Sequence, residues 1–151
     1  MSGDDDLLDV LPRLGQISTA LGRGRLVQEA TEATGLNLDR PAMTILMTLA
    51  TTEAPMRIGE IADRMQVVGP HVTRQVQALE QRGLVQRVAD PNDKRVSLIE
   101  PTPTGAEAAR AYTATIFGWF REVIADWPTQ DRTDLTRLLN KLVDDITARL
   151  T

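Results

Sequence analysis

Residues 58–84 read IGEIADRMQVVGPHVTRQVQALEQRGL, and the spacing of apolar residues in this stretch decides the fold. Ile58, Ile61, Ala62 and Met65 recur at i, i+3, i+4 and i+7, which predicts a short helix with one buried stripe. Four residues, Gln66-Val67-Val68-Gly69, separate it from a second helix that opens with Pro70 at its first position and runs to Arg82. Val72, Val76 and Leu79 form the inward face of that second helix, and Gly83 closes it. Two short helices joined by so tight a turn make a helix-turn-helix.

On the C-terminal side the period changes from helical to extended. Leu84 to Val88 reads as a strand, Asp90-Pro91-Asn92-Asp93 as a turn cluster, and Val96 to Ile99 as the return strand. The result is a hairpin with a charged tip. Thr102 then caps and Pro103 opens a long helix reaching to about Asp126. Along it Ala106, Ala109, Thr113, Ile116, Phe120, Val123 and Trp127 alternate by three and four residues, a heptad-like seam. Pro128-Thr129 breaks the chain, and a last helix carries Leu135, Leu138, Leu139, Leu142, Val143, Ile146 and Leu150.

On the N-terminal side, Asp39 is a good N-cap for a helix with Pro41 in its first turn and Ala42, Ile45, Leu46, Leu49 and Ala50 on its buried face. Before it, Leu7, Leu8, Val10, Leu11, Leu14, Ile17 and Leu21 recur at helical spacing, with Pro12 expected to start or bend that helix and Gly35 to stop it. Residues 1–6 read as an acidic tail. The expected fold class is mainly α with a small β-hairpin wing: six helices, with the hairpin between the fourth and the fifth. A winged helix-turn-helix over residues 36–101 is flanked by helices over 7–35 and 103–151. Those outer helices have more apolar face than so small a central domain needs, so their expected use is dimerisation.

The 151 residues suit one domain with a helical extension. There are no cysteines, which excludes disulfides, thiolate metal sites and thiol redox sensing, and the single histidine excludes a multi-histidine metal site. No cofactor is expected. No 18-residue apolar run and no signal peptide is visible, so no membrane partner is expected and the expected location is the cytoplasm. The chain carries −4 overall, which argues against a polyanionic partner. Yet residues 57–95 hold seven basic and five acidic residues, a net +2, so the excess acid lies elsewhere. Enzyme motifs are absent: Gly22-Arg23-Gly24 begins a dinucleotide pattern, but Val27 stands at its third glycine and no strand precedes it.

Two surfaces carry candidate chemistry. The outward face of the second helix presents His71, Thr73, Arg74, Gln75, Gln77 and Gln81, side chains able to hydrogen-bond base edges in a major groove. The same residues suit a plain solvated face, and spacing alone leaves both readings open. At the hairpin tip Asp93-Lys94-Arg95 places two cations on a projecting loop, fit for a minor groove, with Asp93 able to hold Arg95 in a bidentate pair. The bland alternative is an incidental surface ion pair worth roughly 0–1 kcal/mol.

Taken together, several segments resemble one family. Ile58 to Met65, Val72-Thr73-Arg74, Leu79 to Val85, the wing Asp90-Pro91-Asn92-Asp93-Lys94-Arg95 with its Asp-x-Arg signature, and Thr102-Pro103-Thr104-Gly105 are similar to motifs of the multiple antibiotic resistance regulator (MarR) family of dimeric winged-helix transcription regulators. The resemblance covers essentially the whole chain. Val96, where the family usually has Ser or Ala, and Pro101, where it commonly has Leu, depart from the pattern.

The resemblance implies a homodimer on double-stranded DNA. Arg74 matches the recognition-helix arginine, with Pro70, His71, Thr73 and Gln77 on the same arc; Arg95 matches the wing arginine, with Asp93 its orienting partner; Lys94 and Arg82 would meet the DNA backbone. It further implies a small aromatic or anionic effector in a cleft beside the dimer helices, for which Tyr112, Ile116 and Trp119 share one helix face, although aromatics at helical spacing are more often core. The implied function is that of a ligand-responsive repressor of a palindromic operator. The alternative is a helical dimer that binds a small molecule or a protein and has lost DNA binding; the presence of Arg74, Asp93 and Arg95 argues against it.

Overall fold

A computed structural model describes residues 2–150; within it, for 2–8 and for 23, only the backbone path is described. The element order is α1 (Ser2–Arg23), α2 (Arg25–Ala33), α3 (Arg40–Thr51), α4 (Ile58–Met65), α5 (Gly69–Gln81), β1 (Val85–Ala89), β2 (Ser97–Pro101), α6 (Pro103–Val123) and α7 (Thr129–Leu150). The chain divides into two compact units, one ending at Ile116 and the other beginning at Phe117.

The mainly helical fold with a two-stranded wing agrees with the sequence, and its differences are local. The first expected helix is two, because Gly24 adopts an extended conformation (φ −78°, ψ 163°) that interrupts the backbone ladder and serves as N-cap of α2. Pro12 does not start the helix: α1 begins at Ser2 and runs through it, so residues 2–6 belong to the helix rather than to a tail. Acidic residues near a helix N-terminus complement its dipole. In α5 the first residue is Gly69, one before the expected Pro70.

Most of the core of the first unit lies among α3, α4, α5 and the wing. Asp39 caps α3 by accepting the Ala42 N–H at 2.8 Å on Oδ1. Ile45, Leu46 and Leu49 of α3, Ile61 of α4, Val72, Val76 and Leu79 of α5, Leu84, and Ile99 of β2 are the large side chains buried most completely. Each fully buried aliphatic side chain of this kind contributes about 1.5–3 kcal/mol by leaving water. Thus the helix-turn-helix and wing form one cooperative body.

The strands pair antiparallel from Val85 opposite Pro101 to Ala89 opposite Ser97. Pro101 is tolerated because it is the last residue of β2, where the ladder ends. Met56 forms an isolated bridge with Ile99, donating to its carbonyl at 3.0 Å and accepting its N–H at 2.7 Å. This single-residue third strand lies in what reads from sequence as a loop.

The exit of the wing is a compact junction. Gly83 (φ +70°) turns α5 into the strand. Thr102 Oγ1 donates to the Gly83 carbonyl at 2.6 Å and accepts the Gly105 N–H at 3.1 Å, capping α6 while tying it to the turn. A Cβ on Gly105 would overlap the Leu84 carbonyl, so only glycine allows this approach.

Large apolar side chains remain exposed on the outer helices. On α1 these are Val10, Leu11, Leu14 and Ile17; on α7 they are Leu138, Leu139, Leu142, Val143, Ile146 and Leu150. In the second unit Trp119 and Phe120 meet edge to face, with ring centroids 5.4 Å apart.

Candidate nucleic-acid interface

Helix α5 is amphipathic as its sequence requires. With Val72, Val76 and Leu79 buried, the opposite side exposes Pro70, Arg74, Gln77 and Gln81, while His71 and Thr73 flank it half-buried. Residues spaced by three and four fall on one face, so Pro70, Arg74, Gln77 and Gln81 form one strip. Thr73 Oγ1 donates to the Gly69 carbonyl at 3.1 Å, which directs its hydroxyl hydrogen into the helix.

The wing tip differs in detail from its expected geometry. Asp93 and Arg95 do pair, but not as a bidentate fork. Asp93 Oδ1 alone accepts both the Arg95 backbone N–H at 3.1 Å and its Nε at 3.3 Å. A separation of two residues curls the carboxylate over the following backbone as an Asx turn, so one oxygen serves both donors. The Arg95 side chain is 92% exposed. Its neighbour Lys94 is exposed too. Val96, the departure noted above, closes the loop through its backbone: its N–H donates to Asp93 and its carbonyl accepts from Asp90.

Other cations of residues 57–95 brace the structure. Arg57 Nη2 donates to Asp90 Oδ2 at 2.7 Å. Asp90 is almost completely buried and its Oδ1 accepts the Asn92 N–H at 2.9 Å. That backbone hydrogen bond, and then the Arg57 guanidinium, hold the Asp90 carboxyl below the usual range. Arg57 itself is raised, chiefly by its bond to Asp90. Arg87 Nε meets Glu80 Oε2 at 3.1 Å, joining β1 to the end of α5, and Arg64 Nη1 donates to Thr52 Oγ1 at 3.1 Å. Arg82, expected at the DNA backbone, donates from Nη1 to the Asn37 carbonyl at 2.9 Å. Among the described residues, the side chains of Arg74 and Lys94 have no hydrogen bond or ion pair within the chain.

The Arg57–Asp90 link was not visible in the sequence, where Asp90 reads as one polar residue of a turn cluster. Its only signal was an aspartate directly after a strand, two residues before an asparagine whose N–H it could accept.

The MarR family profile matches residues 38–97, which span α3 through the wing. Two uncharacterized HTH-type transcriptional regulators are similar in sequence. Mb0904 of Mycobacterium bovis is 33% identical over 107 residues, 68% of this chain and 73% of that protein. YxaD of Bacillus subtilis is 28% identical over 127 residues, 84% and 87% of the two chains. The chain belongs to the MarR family. The structure of a MarR family protein from Bacillus stearothermophilus superposes with a TM-score of 0.77 at 22% identity, covering 95% of this chain and 97% of that one. The protein is therefore a DNA-binding transcriptional regulator of the MarR type. No described helix is long and apolar enough to cross a membrane.

The effector residues inferred from the MarR resemblance are only partly brought together. A cleft of about 470 Å³ in the first unit is lined by Val27 and Thr31 of α2, by Arg40, Met43, Thr44, Met47, Thr48 and Thr51 of α3, and by Tyr112 of α6. Tyr112 is half-buried and packs against the core as well. Ile116 does not line this cleft, and Trp119 belongs to the second unit. Sequence reading missed the α3 wall, because Thr44 and Thr48 lie off the apolar stripe of that helix and Thr51 reads as lying beyond its end, whereas α3 includes it. Each of these hydroxyls donates to a carbonyl of its own helix, so the cleft-facing wall is less polar than its composition implies.

Proposed function

We propose that the protein is a homodimeric, ligand-responsive repressor that reads a roughly palindromic operator. The strip Pro70, Arg74, Gln77 of α5, flanked by His71 and Thr73, enters the major groove. The wing enters the adjacent minor groove through Arg95, held by Asp93, with Lys94 on the backbone. Arg82, already bonded to Asn37, keeps further donors for a phosphate at the edge of the footprint.

The observation that carries this reading is the division of labour among cations. Of seven basic residues in 57–95, those that brace the fold have intramolecular partners, while Arg74 and Lys94 have none among the described residues and Arg95 is presented at a tip. Long exposed cations that are not committed to bracing the fold suit phosphates and base edges. The exposed apolar stripes of α1 and α7 support a second copy as the covering partner, since contiguous apolar faces of this kind mark interfaces. Two-fold symmetry then places half-sites about 10 bp apart. A small aromatic or anionic effector in the cleft beside Tyr112 would alter the spacing of the two recognition helices.

Selection of bound DNA from random sequence, followed by a salt titration on the selected operator, tests the reading. The expected result is an inverted repeat whose affinity falls steeply with salt through counterion release. Failure to enrich any sequence would favour a dimer that has lost DNA binding.

A further inference from the structure

We infer that Arg40 is a latch between the effector cleft and α1: it holds the last turn of α1 in the ligand-free protein, and the carboxylate of an aromatic acid bound in the cleft draws it off. This deepens the effector reading above and rests on it.

Arg40 is the first residue of α3, and its Nη1 donates to the carbonyl of Gly22, 18 positions earlier, at 3.3 Å. Its Nη2 stands beside the same glycine, 3.5 Å from where a Cβ would lie. Gly22 is the penultimate residue of α1. The last carbonyls of an α-helix have no donor within the helix and form the negative end of its dipole. A guanidinium from another helix answers both needs. α1 and α2 are separate helices, broken at the extended Gly24. The bond from Arg40 therefore fastens α3 to α1 on the far side of that break. It lies at the surface, so its net worth is small enough for a better acceptor to displace it.

The same residue lines the cleft of about 470 Å³, where it is the one charged side chain among the described residues. The threonine hydroxyls around it are already engaged: Thr31 donates to the Val27 carbonyl, and Thr44, Thr48 and Thr51 donate to carbonyls of α3. Apart from the Tyr112 hydroxyl, the donor left for an anion is the Arg40 guanidinium. Met43, Met47 and the Tyr112 ring offer apolar surface to an aromatic body. A carboxylate accepts from a guanidinium more strongly than a carbonyl does, and best through two parallel bonds. One that takes both terminal nitrogens removes them from Gly22. α1 carries the exposed stripe Val10, Leu11, Leu14 and Ile17, so release of its last turn reaches the surface proposed above for the second copy.

The test uses the full-length protein and its selected operator, with benzoate as the anionic probe and benzamide, nearly the same shape without the charge, as its control. Benzoate should weaken operator binding and speed amide hydrogen exchange at residues 24–27, and benzamide should do neither. Arg40→Ala, at an exposed position, should change Tm little. Its ligand-free operator affinity should fall about fivefold, the net worth of one hydrogen bond. Exchange at 24–27 should already be fast in this variant, and benzoate should have no further effect. Arg40→Lys keeps the charge and should retain the response to benzoate. An equal benzoate response in wild type and Arg40→Ala, equal responses to benzoate and benzamide, or no response of the wild type to benzoate would overturn the latch. A response to no small aromatic molecule, charged or neutral, would overturn the effector reading as well.

Discussion

Arg57 and Asp90 stand 33 positions apart in the chain, yet Nη2 of one lies 2.7 Å from Oδ2 of the other. Arg57 is the N-cap residue of α4 and Asp90 directly follows β1. The pair therefore fastens the wing to the first helix of the helix-turn-helix. Because Asp90 also accepts the Asn92 N–H, one buried carboxylate fixes the root of the wing and the start of its loop. The wing's aim follows from this joint more than from its tip.

Asp90→Asn should lower Tm at neutral pH, and the deficit should shrink in acid. The Asp90 carboxyl is held low by the Asn92 N–H and then by Arg57. A carboxylate with a lower pKa in the folded chain contributes stability that is complete above its unfolded value of about 3.9 and is lost as pH falls through the folded value. Thermal melts of both proteins from pH 7 into the acid range should converge below that value. A constant difference would show that Asp90 acts by packing and not by charge.

Arg95→Ala should weaken operator binding with Tm unchanged. Its side chain is 92% exposed and its pair with Asp93 lies at the surface, where such pairs contribute roughly 0–1 kcal/mol. The slope of log affinity against log salt should fall by about one if the guanidinium replaces a counterion in the groove. An unchanged gel shift would remove the wing tip from recognition.

Arg74→Ala should cost about 1–3 kcal/mol in operator binding and relax selectivity at one base pair of each half-site. A repeat of the DNA selection with the variant checks this. Equal weakening on all sequences would make Arg74 a phosphate contact.

Gly105→Ala should destabilise the fold by about 1–3 kcal/mol, the usual range for overpacking. The added Cβ overlaps the Leu84 carbonyl and stands 3.3 Å from Leu46 Cδ1. Denaturant unfolding gives the measurement. A loss confined to DNA binding, with normal stability, would mean that α6 shifts to make room.

Much of this was legible from periodicity. The bounds of α4 follow from Ile58, Ile61, Ala62 and Met65, and the buried face of α5 from Val72, Val76 and Leu79. Asp39 announces its helix because capping is local chemistry between residues three apart. The break at Gly24 was not legible, and at Pro12 the start and the continuation of the helix stayed open, since a glycine or a proline permits a break without requiring one. At the candidate site, the exposed strip of α5 followed from the buried one. Which cations were committed elsewhere did not: Arg64, Arg82 and Arg87 look the same in sequence as Arg74.

The sequence by itself determined the helix-turn-helix, the hairpin and the polar face of α5, because each depends on contacts or spacing within a few residues. Only the tertiary structure decided that Asp90 is the buried anchor of the wing, that Arg82 is turned to Asn37, and that Tyr112 shares a cleft with the threonines of α3. Those relationships join residues tens of positions apart. Their geometry is set by how the core brings α3, α5 and the wing together, and no local pattern records it.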